Sequence, residues 1–499
     1  MHLRLAISMN PENPRTGALG QGQAHGSGPG QGAPWPQICR PDSDAGKVGS
    51  IGQPGGFMRL RKTSIRSWAT VLGLFPSALA SAAQGEAMPQ NLPIGVSAAL
   101  YEVSVPPGKI PTPQQVALGE KLFHEKHLSA TNTVSCATCH DPKLGFVDGK
   151  ALSNGISLRH TTQRNSPTVL NAMFHASQFW DGRAKDLEDQ AKLPIVNPIE
   201  MGLKSGDDAV AKLKAIPAYV TAFRQAFGRD ITYDDVATAI AAFERMQFSG
   251  EASFDRFVMG RTRAISESAR RGWVLFNGKA RCLGCHGADA TNPLFSDQKF
   301  HNIGVAANKQ AFDELAAEAL QVVRTGDQKQ VDELAIQTKF SELGRFLVTK
   351  QENDIGAFKT PSLRNVGITA PYMHDGSLAT LWDVVDHYNK GGEPNRFLDG
   401  GMQRLGLEER EIDDLVAFLF SLTDQRYARL ALAEQSRQRA RKRKRPERDT
   451  DVAMGKRGHM GDLAPNPDLK NPADLGFFGR YPQTGAAPLR GTNAPEVSR

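Results

Sequence analysis

At 499 residues the chain has room for about three domains of ordinary size. Its formal charge of +7 suggests a basic protein, but the excess of Lys and Arg lies at the two ends and leaves 84–425 mildly acidic, which excludes nucleic-acid binding as the task of the body of the chain. Four of the five cysteines fall in two identical motifs, so a disulfide framework is excluded as well.

Residues 1–57 are crowded with Gly, Pro, Gln and Ser and hold too few large apolar groups to offset the entropy of folding. They are expected to be disordered or untranslated. Met58 opens a different segment, 58–83. Arg59, Arg61, Lys62 and Arg66 precede an apolar run from Trp68 to Ala80, and Ser81, Ala82 and Ala83 follow. That is the layout of a secretory signal peptide cleaved near Ala82, and the run is shorter than the roughly 20 residues of a spanning helix. The expectation is a protein exported to the periplasm with no transmembrane anchor after cleavage.

A short phrase introduces each Cys pair: Gly119, Leu122 and Phe123 before the first, Gly272, Leu275 and Phe276 before the second. Both copies belong to helical stretches, Pro113 to Phe123 and Ser266 to Phe276, and Gly/Pro-rich loops follow. The repeat predicts a mainly α fold of two cytochrome c-like helical domains, 84–260 and 261–425, flanked by disordered N- and C-terminal extensions. A long insertion in the first domain carries the helical pattern of Asp234 to Phe248, and the second ends in an amphipathic helix from Glu408 to Leu422. The stretch between Val305 and Arg345 also reads as helical. From 426 to 499 the chain turns charged and then Pro/Gly-rich. Its basic run, Arg437 to Arg445, reads as a solvated, disordered tail and not as a nucleic-acid arm.

Cys136-Ala137-Thr138-Cys139-His140 and Cys282-Leu283-Gly284-Cys285-His286 carry the chemistry. Two cysteines one helical turn apart can form thioethers with the vinyl groups of one haem while the adjacent His reaches the iron. A zinc site would need further thiols or histidines at metal spacing, and an exported chain with His directly after the second Cys, twice, does not fit one. Two haem c groups are therefore expected, held by Cys136, Cys139 and His140 and by Cys282, Cys285 and His286. The sixth ligands separate electron carriers from catalysts. The residues alone leave them open among His124, His127, His160, His175, His301, His374, His387, Met246, Met259, Met373 and Met402.

Beyond these motifs the chain resembles the bacterial di-haem cytochrome c peroxidase family, including its MauG-like branch, over about residues 110 to 423. The resemblance rests on Arg164 to Thr168, Gln178 to Arg183, Asn197 to Met201, Phe300 to Gly304, Phe358 to Asn365 and Pro371 to Gly376, in that order. It implies an enzyme that takes hydrogen peroxide at the first haem. Glu200 and Gln190 would line the open face, where the Glu200 carboxyl would take the proton of the peroxide and return it to the departing oxygen, and Trp180 would carry electrons between the haems. It also implies a calcium ion held between the domains through oxygen atoms of Asn165, Thr369 and Pro371. The electrons would come from a small donor protein, a cytochrome c or a copper protein, or from a protein substrate in the MauG-like case.

Two departures refine the resemblance. Classical members place a Met fourteen residues after the His of the Pro-Tyr-x-His-Asp-Gly motif; fourteen after His374 is Tyr388. That is the MauG-like choice, and an oxygen ligand from Tyr388 would give the second haem a low potential. The usual distal His of the first haem is also replaced: Ser157 falls there by ungapped count, and Pro194 matches a Pro of the MauG branch. In the other direction, the surface Trp that MauG places two residues before its second motif is Ala280 here, which removes support for that enzyme's tryptophan-modifying reaction. Without the resemblance, a plain electron-transfer cytochrome or a scaffold recruiting a partner through the basic tail would be the alternatives.

Overall fold

The computed structural model describes residues 92–443, apart from 106–107, 158–160, 288–293, 309–310 and 335–337. The expected signal segment 58–83, the segment 1–57 and the end of the tail lie outside the described residues. Among the described residues the α-helices of six residues or more are α1 (Ala98–Ser104), α2 (Pro113–Phe123), α3 (Leu187–Val196), α4 (Gly206–Lys214), α5 (Pro217–Phe227), α6 (Tyr233–Arg245), α7 (Ser253–Val258), α8 (Glu267–Asn277), α9 (Phe312–Thr325), α10 (Gln328–Glu333), α11 (Leu381–Lys390), α12 (Glu409–Ser421) and α13 (Ala428–Arg443). Two-residue strands β1 (Phe300–His301) and β2 (Phe358–Lys359) pair antiparallel. The protein is mainly helical.

Local chemistry explains the main helix starts. Thr112 caps α2 in a reciprocal capping box with Gln115, and Pro113 takes the first helical position, where its missing N–H is not needed. Ser266 caps α8 through the Ala269 N–H, and Thr380 caps α11 through the Asp383 N–H. The pattern read as Asp234 to Phe248 ends earlier, at Arg245, because the Met246, Gln247 and Phe248 amides turn back onto nearby carbonyls.

Two helix pairs organise two apolar clusters. In the first, Leu118, Leu122 and Phe123 of α2 meet Val236, Ile240 and Phe243 of α6. In the second, Trp273 and Phe276 of α8 meet Leu415, Phe418 and Leu419 of α12, with Leu381 of α11 and Phe295 closing it. Each such side chain contributes on the order of 2 kcal/mol when removed from water. Phe254 and Phe257 of α7 pack in the second cluster although they precede residue 261. A third cluster joins Phe312 and Leu320 of α9 to Phe340 and Phe346, and Trp180 leans on it.

Residues 428–443, at the start of the stretch expected to be a disordered tail, form α13, and that stretch from 444 onward lies outside the described residues. This helix has almost no apolar face, so hydrophobic patterning could not reveal it. Polar anchors hold it instead: Gln438 is 5% exposed, and Lys442 bonds Asp413 of α12. Among the described residues no helix is long and apolar enough to cross a membrane.

Candidate functional site

The first motif is a single helical turn, Cys136–Cys139, followed by His140. The second is tighter, Cys282–Gly284, entered through a left-handed Arg281 (φ 54°). All four sulfurs are free of disulfides. Burial pushes Cys136 and Cys282 up to about 12 and Cys139 up to about 11. Such groups stay thiols, the form that adds to a vinyl group, and make poor thiolate ligands for a bare metal.

Both histidines are oriented in the same way. The His140 Nδ1 lies 3.2 Å from the Phe146 carbonyl oxygen, and the His286 Nδ1 lies 2.7 Å from that of Phe295. Burial holds both imidazoles below the usual range, so they are neutral, with Nδ1–H donating and the Nε2 lone pair left for iron. The two accepting phenylalanines are themselves left-handed, at φ 62° and 56°, a conformation rare for a bulky residue. Their rings pay part of that strain back by packing: Phe146 lies edge-on to Phe123 at 6.0 Å, and Phe295 edge-on to Phe276 at 6.3 Å. The buried thiol pair, neutral imidazole and carbonyl-oriented Nδ1 suit haem c at each motif.

The side chains expected around the first motif are placed as follows. Glu200 sits in the loop that folds back on the end of α3, where the Asn197 amide donates to its Oε1 at 3.1 Å. Burial raises its carboxyl above the ordinary range, with Arg183 opposing, and its charge in turn raises both Cys136 and Cys139, which puts it on the side of the first motif. Gln190 is half-buried on α3 and makes no side-chain hydrogen bond among the described residues. Trp180 joins the two halves of the chain: its Nε1 donates to the Asn165 carbonyl at 2.8 Å, and its own carbonyl accepts from the Lys359 amide of β2 at 2.7 Å.

Around the second motif, burial raises the phenol of Tyr388 on α11, and the Cys285 and Cys282 side chains add to that rise, which puts Tyr388 on the side of the second motif. No hydrogen-bond partner for the hydroxyl is present among the described residues. The described histidines outside the motifs are otherwise engaged. His124 Nδ1 meets the Glu120 carbonyl, His127 meets Glu125, His175 meets Gln298, His374 Nε2 meets Glu342 and His387 Nε2 meets the Ile303 carbonyl. His301 lies between Asp399, 2.6 Å from Nδ1, and Asp297, 2.9 Å from Nε2. His160 lies outside the described residues. The segments of the expected calcium ligands run together, with the Asn165 amide on the His374 carbonyl, three residues past Pro371, and Thr369 beside Ile368, which abuts Gly145.

Sequence reasoning passed over Glu244. It is 6% exposed on α6, its Oε2 has no hydrogen-bond partner among the described residues, and burial pushes it up to about 8. Its charge is felt at Cys136. The signal was present in the spacing, since Val236, Ile240 and Glu244 recur every four residues on one helical face.

Comparison with known proteins agrees with this geometry. The family model described as di-haem cytochrome c peroxidase matches residues 113–263. The chain is 41% identical over 314 residues to the methylamine utilization protein MauG of Methylorubrum extorquens, covering 62% of this chain and 78% of that one. It is 38% identical to a cytochrome-c peroxidase of Denitromonas iodatirespirans, over 69% of this chain and 89% of the other. Among solved structures, a MauG-like protein associated with microbial copper homeostasis superimposes with a TM-score of 0.54 at 30% identity, covering 68% of this chain and 95% of that one.

Proposed function

The chain belongs to the di-haem cytochrome c peroxidase family, and from that premise we propose that it reduces hydrogen peroxide with electrons from a small redox protein, a cytochrome c or a copper protein. The observation that carries this reading is Glu200, a buried carboxyl with a raised proton affinity beside the first Cys pair.

Haem c at each motif supplies an iron centre able to accept or release single electrons. Cys136, Cys139 and His140 would hold one and Cys282, Cys285 and His286 the other, with the Tyr388 phenol as a further ligand of the second. Glu200 accepts the proton of the incoming peroxide and returns it to the departing oxygen, a role for which a carboxyl above its ordinary range is suited. Gln190 orients the peroxide by hydrogen bonding. Trp180, tied to Asn165 on one side and Lys359 on the other, relays electrons between the two sites. Asn165, Thr369 and Pro371 would hold a calcium ion. The proposed place of action is the periplasm.

Tyr388 favours a second reading, in which the electrons are drawn from a side chain of a protein substrate. Against it stands Ala280, 4% exposed at the position expected to present a surface Trp.

The test is the electron paramagnetic resonance spectrum of the ferric protein before and after one equivalent of peroxide. One high-spin and one low-spin signal, both lost on addition, are expected, and Glu200→Gln should slow that loss by about 100-fold or more. Two unchanging low-spin signals would mean an electron carrier.

A further inference from the structure

We infer that α13, beyond the stretch that resembles the family, is a positioning strap for the second haem pocket, with Gln438 fixing the helix that carries Tyr388. The inference rests on the reading of Tyr388 as a distal ligand.

Gln438 is buried, and its amide joins two segments. Its Oε1 accepts from the Leu381 N–H at 2.8 Å, and its Nε2 donates to the Tyr372 hydroxyl at 3.0 Å. Leu381 is the first residue of α11, so this bond satisfies one of the amide groups that a helix start leaves without an internal partner. The Thr380 cap serves the Asp383 amide, not this one. Tyr372 belongs to the turn bridged to Leu378 that presents His374, and its own hydroxyl donates onward to the Val366 carbonyl at 3.1 Å.

Lys442, one turn further along α13, bonds Asp413 of α12 at 2.7 Å and stands 5.3 Å over the ring of Trp382, the second residue of α11. The other end of α11 is held independently. His387 Nε2 lies 2.8 Å from the Ile303 carbonyl, and the Asn389 side chain exchanges bonds with the Leu407 backbone. The first turn of α11 is thus held both by the second cluster, through Leu381 and Trp382, and by α13, and the direction of the Tyr388 phenol depends on these as well as on the far end. Releasing the Gln438 end lets α11 pivot about His387 and Asn389 and moves the phenol relative to Cys282 and Cys285.

The experiment uses the full protein with both haems bound, and compares Gln438→Leu, Gln438→Glu, a chain ended after Tyr427, and Tyr388→Phe. The readouts are the low-spin ferric signal and the midpoint potential of the second haem, with the first haem's high-spin signal as internal control. Gln438→Leu and the shortened chain should shift both readouts and leave the control unchanged. Gln438→Glu, which keeps the acceptor for the Leu381 N–H but loses the donor to the Tyr372 hydroxyl and meets the Glu434 carboxylate, should shift them as Gln438→Leu does. Tyr388→Phe should abolish the low-spin signal.

If Tyr388→Phe acts but Gln438→Leu and the shortened chain leave both readouts in place, the strap is overturned and the ligand stands. A lower melting temperature with unchanged spectra overturns it equally, since that is what a merely structural contact gives. Should Gln438→Leu fail to load haem, the shortened chain, which leaves both partners of Gln438 open to water, decides. A silent Tyr388→Phe overturns the ligand reading and the strap with it.

Discussion

Gly272 of α8 lies directly against the Asp414 carbonyl of α12, so that a methyl group on Gly272 would collide with that backbone oxygen. Gly119 of α2 stands in the same relation to the Ala239 carbonyl of α6. In each case the next contact is the Cβ of a phenylalanine four residues further on, Phe418 or Phe243. The repeated phrase in the sequence is therefore a repeated helix crossing, in which glycine lets two backbones approach and Phe276 or Phe123 packs on the facing ring. Gly272→Ala and Gly119→Ala should each cost about 1–3 kcal/mol or more, because the neighbour that must give way is backbone. Urea denaturation of the two variants checks this; midpoints equal to wild type would mean that the crossings are looser than described.

Glu244 has a folded-state proton affinity pushed up from 4.5 to about 8 by burial, with Arg245 opposing and Glu188 adding to it. The folded state thus holds a proton that the unfolded chain releases, and stability present below the lower value is lost as pH rises toward the higher one. The shift corresponds to at most about 5 kcal/mol. Glu244→Gln keeps the shape without the titration, so its melting temperature should gain on wild type between pH 5 and pH 9. A difference between the two that stays constant over that range would show that Glu244 does not titrate there.

Arg364 and Asp255 form a two-bonded ion pair, both bonds 2.9 Å long, with side chains 5% and 7% exposed. Asp255 also accepts from the Ala252 amide at the start of α7. Removing one partner of such a pair leaves a buried charge, and Arg364→Met should cost about 3–5 kcal/mol. Thermal unfolding reads this directly. A loss below about 1 kcal/mol would place the pair with exposed salt bridges.

Calcium is expected to remain with the purified protein at one ion per chain and to be removable by chelation. Asn165, one of the expected ligands, accepts the Trp180 Nε1–H at its carbonyl, so loss of the ion should lower the melting temperature and slow the response to peroxide together. Elemental analysis that finds no calcium, with unchanged kinetics after chelation, would remove the ion from the site.

The repeat was legible because it combines a covalent motif with a local one. The spacing of Cys136, Cys139 and His140 is dictated by one turn of helix. The Gly-Leu-Phe phrase before it is dictated by a crossing that tolerates no side chain. Helix ends at Thr112, Ser266 and Thr380 were also readable in principle, since a cap acts within three residues. The sequence by itself thus determined the helical class, the two haem motifs and the family resemblance.

Other features were decided only by the tertiary structure, some because they rest on local backbone conformation and some because their partners lie far apart along the chain. The carbonyls of Phe146 and Phe295 orient His140 and His286 from left-handed positions that no pattern announces. Glu244 became a buried acid only when α6 packed against its neighbours, and α13 was anchored to α11 only because Gln438 reaches Leu381, 57 residues earlier. Hydrophobic periodicity records which face an element buries, whereas the protonation of Glu244 and the anchoring of α13 depend on which distant groups meet in low dielectric.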